Sequence, residues 1–328
     1  MNLQLSIGIT DNPRTWPIID GTVKPEGIDL IPTILHPSEL FWRQLHFAEF
    51  AVSEMSCSSF MIVTGQGDTR FVGLPIFTTR RFFHTTILVS RKSGIEKPAD
   101  LKGKRVGVTS MASAGVIIAR AMAAINGMDP DRDISIVVAG EAAQTAALLR
   151  GNQVDALSQF DTQYALTENA GAKLRALEDD NKSIANFPSN GLVTLEETLQ
   201  NKRAEALALA QGYAKGTVFA IANPEAAIRI LWEVYPQTKA TGKDEATALK
   251  DDLTTLNARI KNWRLAAGGV TKWGENSIPN YDAYVDFLVK NGVLKTRTPA
   301  SDLVTNELIE DINKFEENEI ADMAKAYK

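Results

Sequence analysis

Short apolar runs alternate with helical periodicity along the first two thirds of the chain, which predicts an open α/β sheet. Leu3–Ile9 alternates apolar and polar side chains with the period of a strand and ends at the turn cluster Thr10–Pro13. A second strand is predicted at Ile28–Ile34, and a helix at Ser38–Leu45. Because ligands usually bind at the carboxyl ends of such strands, the loop after the first strand is a candidate ligand loop.

The segment Phe50–Arg105 predicts a strand, a Ser-rich turn, a second strand, a Thr-Thr-Arg-Arg turn and a third strand. The strand that begins at Phe50 ends in small hydroxyl side chains and the carboxylate of Glu54. The turn Thr78–Arg81 lies between two hydrophobic runs, and its guanidinium groups suit the planar capture of a carboxylate. The segment therefore predicts a site for a small anionic or polar molecule.

A second candidate anion site follows the strand Arg105–Val108. That strand runs into Thr109 and Ser110 and then into a helix predicted at Val116–Asn126. The start of a helix presents backbone N–H groups and the positive end of the helix dipole, which together favour anions. Three further elements are predicted before Asp161: strands at Ile134–Val138 and Val154–Ser158, and a helix at Ala142–Arg150.

The last third of the chain has helical periodicity almost throughout. Helices are predicted at Glu196–Ala222, Pro224–Tyr235, Lys243–Trp263 and Tyr281–Asn291. Gly292 follows the last of these as a left-handed helix stop. We expect these C-terminal helices to pack on the first lobe of the protein.

A chain of 328 residues is long enough to form two lobes. The predicted fold is α/β and two-lobed, with chain crossings near Val89 and Asn190 that act as a hinge. Residues 1–88 and 191–328 form the predicted first lobe, and residues 89–190 form the inserted second lobe.

Composition and charge exclude several classes of protein. The formal net charge of −5 gives no support to nucleic-acid binding. Cys57 is the single cysteine and the three histidines have no metal-ligand spacing, so neither a disulfide nor a metal site is predicted. Gly-rich phosphate loops are absent, and no cofactor is predicted. The N-terminus lacks the features of a secretory signal and no run could span a bilayer, which indicates either a cytosolic protein or a removed leader.

Several segments resemble the substrate-binding proteins of ABC transporters of the nitrate, sulfonate, taurine and thiamine-pyrimidine-precursor type. They are Lys97–Val108, Leu149–Ala156, Asp286–Leu294 and Asp302–Glu307. The N-terminal third also resembles 4,5-dihydroxyphthalate decarboxylase, through Val52–Phe60, Leu74–Phe77 and Arg81–His84. Both resemblances imply the same type II periplasmic-binding-protein-like fold.

The first resemblance implies an extracytoplasmic receptor, with its leader removed, that passes a ligand to an ABC permease. The expected ligand is a small organic anion, an aromatic or other carboxylic acid, held in a cleft that closes on it. The predicted ligand-binding residues are Asp11, Asn12, Trp16, Ser56, Ser58, Thr79, Arg80, Arg81, His84, Ser110, Ser113 and Asp161.

The second resemblance implies a cytosolic decarboxylase of an aromatic diacid. In that hypothesis His84 donates a proton to the ring carbon as carbon dioxide leaves, Glu54 assists proton transfer, and Arg80 or Arg81 anchors a carboxylate. A structural hydrogen bond at the hinge is an equal alternative for His84, and an ion pair within the protein is the favoured alternative for Glu54. A thiamine-pathway pyrimidine synthase is disfavoured because the cysteine-rich motif of that enzyme is missing.

Overall fold

A computed structural model of the chain describes residues 3–11, 15–78, 86–111, 113–177, 184 and 187–327. The strands in these ranges are β1 (Leu3–Ile9), β2 (Ile28–Ile34), β3 (Val52–Ser56), β4 (Phe71–Gly73), β5 (Leu88–Ser90), β6 (Lys104–Val108), β7 (Ile134–Val138), β8 (Ala156–Leu157), β9 (Leu174–Ala176) and β10 (Asn190–Leu195).

The helices in the same ranges fall into two groups along the chain. The first group comprises α1 (Trp16–Ile19), α2 (Pro37–Phe47), α3 (Cys57–Gly65), α4 (Ala114–Ile125), α5 (Ala142–Arg150) and α6 (Asp161–Asn169). The second comprises α7 (Glu196–Asn201), α8 (Arg203–Ala222), α9 (Pro224–Val234), α10 (Glu245–Trp263), α11 (Leu265–Gly268), α12 (Ile278–Lys290), α13 (Ile309–Ile312) and α14 (Glu317–Ala326). Short 3-10 helices lie at Pro98–Leu101, Pro236–Thr238 and Ala300–Asp302.

Two five-stranded sheets share one topological pattern. The first has the order β2-β1-β3-β10-β4, and the second has the order β7-β6-β8-β5-β9. In the first sheet β1 is parallel to β2 and β3, while β10 is antiparallel to β3 and β4. In the second sheet β6 is parallel to β7 and β8, while β5 is antiparallel to β8 and β9. Each sheet therefore brings the carboxyl ends of three parallel strands to one edge.

The chain divides into two compact units. The first unit comprises Met1–Arg81, Asn186–Leu249 and Ile260–Lys328, and the second comprises Phe82–Ala185 and Lys250–Arg259. The middle of α10 thus belongs to the second unit, whereas both ends of this helix belong to the first.

The core of the first unit joins its sheet to the C-terminal helices. Leu5, Ile7 and Ile9 of β1 are almost fully buried in the same cluster as Tyr213 of α8 and Trp273. Helices α13 and α14 both pack against α8, so these C-terminal helices lie on the first unit as expected. The middle of α10 departs from that expectation, because it belongs to the second unit. No helix in the described ranges is both long enough and apolar enough to cross a membrane.

The strands predicted at Leu3–Ile9 and Ile28–Ile34 have the bounds that the structure shows. The predictions of a Ser-rich turn and of a strand after it were wrong, because Cys57–Gly65 forms the helix α3. This run is apolar on every side, with Phe60 and Met61 both buried, so its hydrophobic pattern does not distinguish a helix from a strand. The helix predicted at Glu196–Ala222 is instead two helices, α7 and α8, because Lys202 leaves the helical conformation at φ −134°.

Candidate functional site

The carboxyl ends of β1 and β3 in the first unit are joined by a side-chain contact. One carboxylate oxygen of Glu54, Oε2, accepts hydrogen bonds from the backbone N–H of Thr10, at 3.2 Å, and from its hydroxyl. Glu54 is 4% exposed, so these donors offset part of the cost of burying the carboxylate. Within the described residues, the partner of Glu54 is therefore a threonine.

The hydroxyls at the start of α3 form a local network. Ser56 Oγ lies 2.9 Å from Ser58 Oγ, and Ser58 is in turn hydrogen-bonded to the hydroxyl of Tyr284. Between the serines, the thiol of Cys57 lies 3.5 Å from the hydroxyl of Tyr281. Burial raises the pKa of the Cys57 thiol to about 12 and raises the pKa of Tyr284 as well. These groups stay protonated at neutral pH, which suits hydrogen bonding rather than nucleophilic attack.

Of the two predicted ligand-binding residues described in the first loop, Asp11 is exposed and Trp16 is buried. Asp11 is exposed directly after β1, where a ligand can reach it. Trp16 begins α1, is 7% exposed, and stacks on the ring of Tyr235. The indole therefore already has an aromatic partner within the first unit.

A small cavity in the first unit lies beside the segment Pro75–Phe77. Four of its eleven lining residues are aromatic: Phe77, Tyr213, Trp263 and Trp273. Its volume of about 20 Å³ is room for a single water molecule, so it does not hold an aromatic ring. These aromatic residues are far apart in the chain, so the sequence does not show that they meet.

In the second unit the backbone of α4 lies directly against the end of β8. A Cβ atom at Gly115 would lie 2.0 Å from the carbonyl oxygen of Ser158, so no other residue fits here without a shift. The Ser158 hydroxyl donates to the Gly115 carbonyl at 2.8 Å. At the helix start, the Ser113 hydroxyl donates to the carbonyl of Ser110 at 2.7 Å and makes no capping bond to the first turn.

Gln159 follows β8 and is fully buried. Its Nε2 donates to the Gly140 carbonyl at 2.8 Å and lies 3.4 Å from Thr145 Oγ1. Its backbone N–H donates to the hydroxyl of Tyr164 at 2.8 Å. The side chain of Gln159 therefore links the ends of β8 and β7, a role that the sequence analysis did not assign.

Asp161 begins α6 and forms an ion pair with Arg259 of α10. The Arg259 Nη2 atom lies 2.8 Å from Asp161 Oδ1, and the Arg259 Nε donates to the same oxygen at 3.0 Å. The Arg259 side chain is 18% exposed and the Asp161 side chain is 11% exposed. Any ligand contact by Asp161 would thus involve a carboxylate already paired with a guanidinium.

The remaining predicted site residues lie outside the described ranges: Asn12, Thr79, Arg80, Arg81 and His84. Among the residues that the structure does describe, no group of three or more His, Cys, Asp or Glu side chains is arranged to hold a metal ion. The described site residues form two sets, one at the strand ends of each unit. Hydroxyl, amide and carboxylate groups in these sets are suited to binding a polar ligand through hydrogen bonds.

Comparison with known sequences gives partial matches. The model of the NMT1/THI5-like family matches residues 66–227, just under half of the chain. A 4,5-dihydroxyphthalate decarboxylase of Comamonas testosteroni is 40% identical over 106 residues, which are 32% of this chain and 32% of that enzyme. The match thus spans about a third of the length of this curated relative.

Solved structures match almost the whole chain. The alkanesulfonate-binding protein SsuA of Xanthomonas axonopodis pv. citri, bound to MOPS, superposes with a TM-score of 0.63 and 18% identity, covering 92% of this chain and 98% of that one. The periplasmic aliphatic sulphonate binding protein SsuA of Escherichia coli superposes with a TM-score of 0.64 and 14% identity. The match covers 94% of this chain and 99% of that one. The chain therefore has the two-lobed α/β fold of periplasmic binding proteins, and its residues 66–227 are similar to the NMT1/THI5-like family.

Proposed function

We propose that this protein is a solute-binding receptor that captures a small organic anion, an aromatic or other carboxylic acid, for an importer of the ABC type. The observation that carries the proposal is the repeated sheet order, which gives each unit three parallel strand ends at one edge. In open α/β sheets these ends are where ligands bind. The polar side chains found there supply hydrogen-bond donors and acceptors.

The second unit supplies the anion contact in this proposal. Ser110 and Ser113 immediately precede α4 in this unit. The Ser113 hydroxyl donates to the Ser110 carbonyl, so the Ser113 side chain does not cap the backbone N–H groups in the first turn of α4. Backbone N–H groups of a helix start bind carboxylates and sulfonates, and the helix dipole adds to the attraction.

Calorimetric titration with benzoate, phthalate and ethanesulfonate tests this function. Replacement of Ser110 by Ala should weaken binding of the best ligand by about five- to tenfold, the value of one hydrogen bond. Ser135→Ala is the matched control, because Ser135 is an exposed serine of β7 in the same unit. Equal affinities in all three proteins would remove the α4 start from the site.

The importer also defines the partner and the location in this proposal. A receptor of this kind works outside the cytoplasm and delivers its ligand to a membrane permease. Deleting the gene in the native host should abolish uptake of the radiolabelled ligand, and expression from a plasmid should restore it. Unchanged uptake would contradict the role in transport.

A second candidate function is decarboxylation of an aromatic diacid in the cytoplasm. The 40% identity to 4,5-dihydroxyphthalate decarboxylase over 106 residues favours it. Its residues would be His84 as proton donor, Arg80 or Arg81 as carboxylate anchor, and Glu54, which is buried beside Thr10.

The two candidates differ in what happens to the bound acid. Loss of one carboxyl group from 4,5-dihydroxyphthalate would release carbon dioxide and 3,4-dihydroxybenzoate, which liquid chromatography separates from the substrate. Turnover that is lost in His84→Ala would support the enzyme. Binding with complete recovery of the diacid would support the receptor.

A further inference from the structure

Two buried polar atoms at the strand ends of the second unit have no hydrogen-bond partner among the described residues. They are Oε1 of Gln159 and Oγ1 of Thr109. A buried polar atom without a partner costs about 1–3 kcal/mol, so native structures rarely leave one without a purpose. Both atoms lie where open α/β sheets bind ligands.

The strand register places these two residues side by side. β6 and β8 are parallel, with Val106 opposite Ala156 and Gly107 opposite Leu157. Continuing that register by two residues brings Thr109 opposite Gln159. Neighbouring strands are about 4.8 Å apart, and side chains at one register position share a face of the sheet.

The orientation of the Gln159 amide is fixed by its other contacts. Nε2 donates to the Gly140 carbonyl at 2.8 Å, so Oε1 is the end of the amide that remains without a donor. Thr145 Oγ1 reinforces this orientation, since it lies 3.4 Å from Nε2 and itself donates to the Gly140 carbonyl. Gln159 therefore presents a fixed, buried acceptor.

We infer that Gln159 and Thr109 form a subsite for a hydroxyl group of the ligand. A hydroxyl donates its proton to Gln159 Oε1 and accepts the proton of the Thr109 hydroxyl, which satisfies both atoms at once. An ammonium group would leave the Thr109 proton without an acceptor and would bring a charge into a buried position. The inference rests on the proposed binding function and narrows the ligand to a hydroxylated organic acid.

Pairs of acids that differ by one or two hydroxyl groups test the subsite. We would titrate the protein with benzoate and 3,4-dihydroxybenzoate, with propionate and lactate, and with ethanesulfonate and 2-hydroxyethanesulfonate. In at least one pair the hydroxylated acid should bind about tenfold more tightly, the effect of one buried hydrogen bond. The methyl ether 4-methoxybenzoate, which has no proton to donate, should show no such gain over benzoate.

Variants assign that preference to the two side chains. Gln159→Met keeps the length of the side chain without its acceptor and should reduce the preference to about one. Thr109→Val should also reduce the preference for the hydroxylated acid. This variant tests the subsite if Gln159→Met does not fold. Gln153→Met, the same substitution at an exposed position, is the matched control and should keep the preference.

The outcomes separate this inference from the proposed function. Binding of both members of every pair with equal affinity would overturn the subsite, as expected if a permanently bound water satisfies the two atoms, and would leave the receptor function standing. A preference that survives in both Gln159→Met and Thr109→Val would also overturn the subsite. Failure of every acid to bind would overturn both proposals.

Discussion

The carboxylate of Glu54 in β3 accepts hydrogen bonds from both the backbone N–H and the hydroxyl of Thr10, which follows β1. The two residues are 44 positions apart in the chain. This contact closes the gap between two parallel strand ends in the first unit. It fixes the loop that carries Asp11, one of the predicted ligand contacts.

Replacing Glu54 by Leu should lower the free energy of unfolding by about 2–3 kcal/mol, because the N–H and the hydroxyl of Thr10 would both lose their acceptor. Urea denaturation followed by circular dichroism measures this change. Glu26→Leu is the control, since Glu26 is exposed and should change stability by less than about 0.5 kcal/mol. A stable Glu54→Leu protein would show that the Thr10 contact does not support the loop.

Replacing Gly115 by Ala should destabilise the second unit strongly. The new Cβ would lie 2.0 Å from the Ser158 carbonyl oxygen, so either α4 or β8 must move. Overpacking of this kind costs about 1–3 kcal/mol or more.

Gly212→Ala is the matched control in α8, where an added Cβ meets nothing within 4 Å. Because alanine favours the helix more than glycine, this variant should gain about 0.5–1 kcal/mol. Thermal unfolding should therefore separate the two variants in opposite directions. Equal melting temperatures would contradict the close approach of α4 to β8.

The buried thiol of Cys57 predicts a loss of stability at alkaline pH. Its pKa is raised from 9.0 to about 12 in the folded protein, so between these values the unfolded chain releases a proton that the folded protein retains. The free energy of unfolding therefore falls as pH rises above 9. Cys57→Ala should show a shallower fall than the original protein when both are denatured in urea at pH 9 and 10.5. Parallel curves would contradict the raised pKa.

The ion pair between Asp161 and Arg259 anchors the middle of α10 to α6. A double-mutant cycle with Asp161→Asn and Arg259→Met should give a coupling energy of about 1 kcal/mol or more, since both side chains are mostly buried. A coupling near zero would mean that the pair does not hold α10 in place.

Alternating apolar and polar residues made β1 predictable over its whole length. The bounds of β2 were predicted from the turn at Pro25–Gly27 that precedes it. The helix α3 was not predicted, because its buried apolar side chains carry no periodic signal. The C-terminal helices were predictable from their polar faces, but the break at Lys202 was not.

The candidate site was harder to predict than the fold. Ser110 and Ser113 could be placed at a helix start from local sequence, because a strand followed by small hydroxyl residues and a helix is a local pattern. The pairing of Arg259 with Asp161 could not be predicted, because the two residues are 98 positions apart in the chain. The buried hydrogen-bond acceptor of Gln159 could not be predicted either, because the burial and contacts of this side chain depend on the tertiary fold.

Equilibrium dialysis with 4,5-dihydroxyphthalate tests the central claim most directly. The receptor account predicts saturable binding of one molecule per chain, with all of the diacid recovered unchanged and no carbon dioxide released after prolonged incubation. Release of carbon dioxide with accumulation of 3,4-dihydroxybenzoate would contradict it.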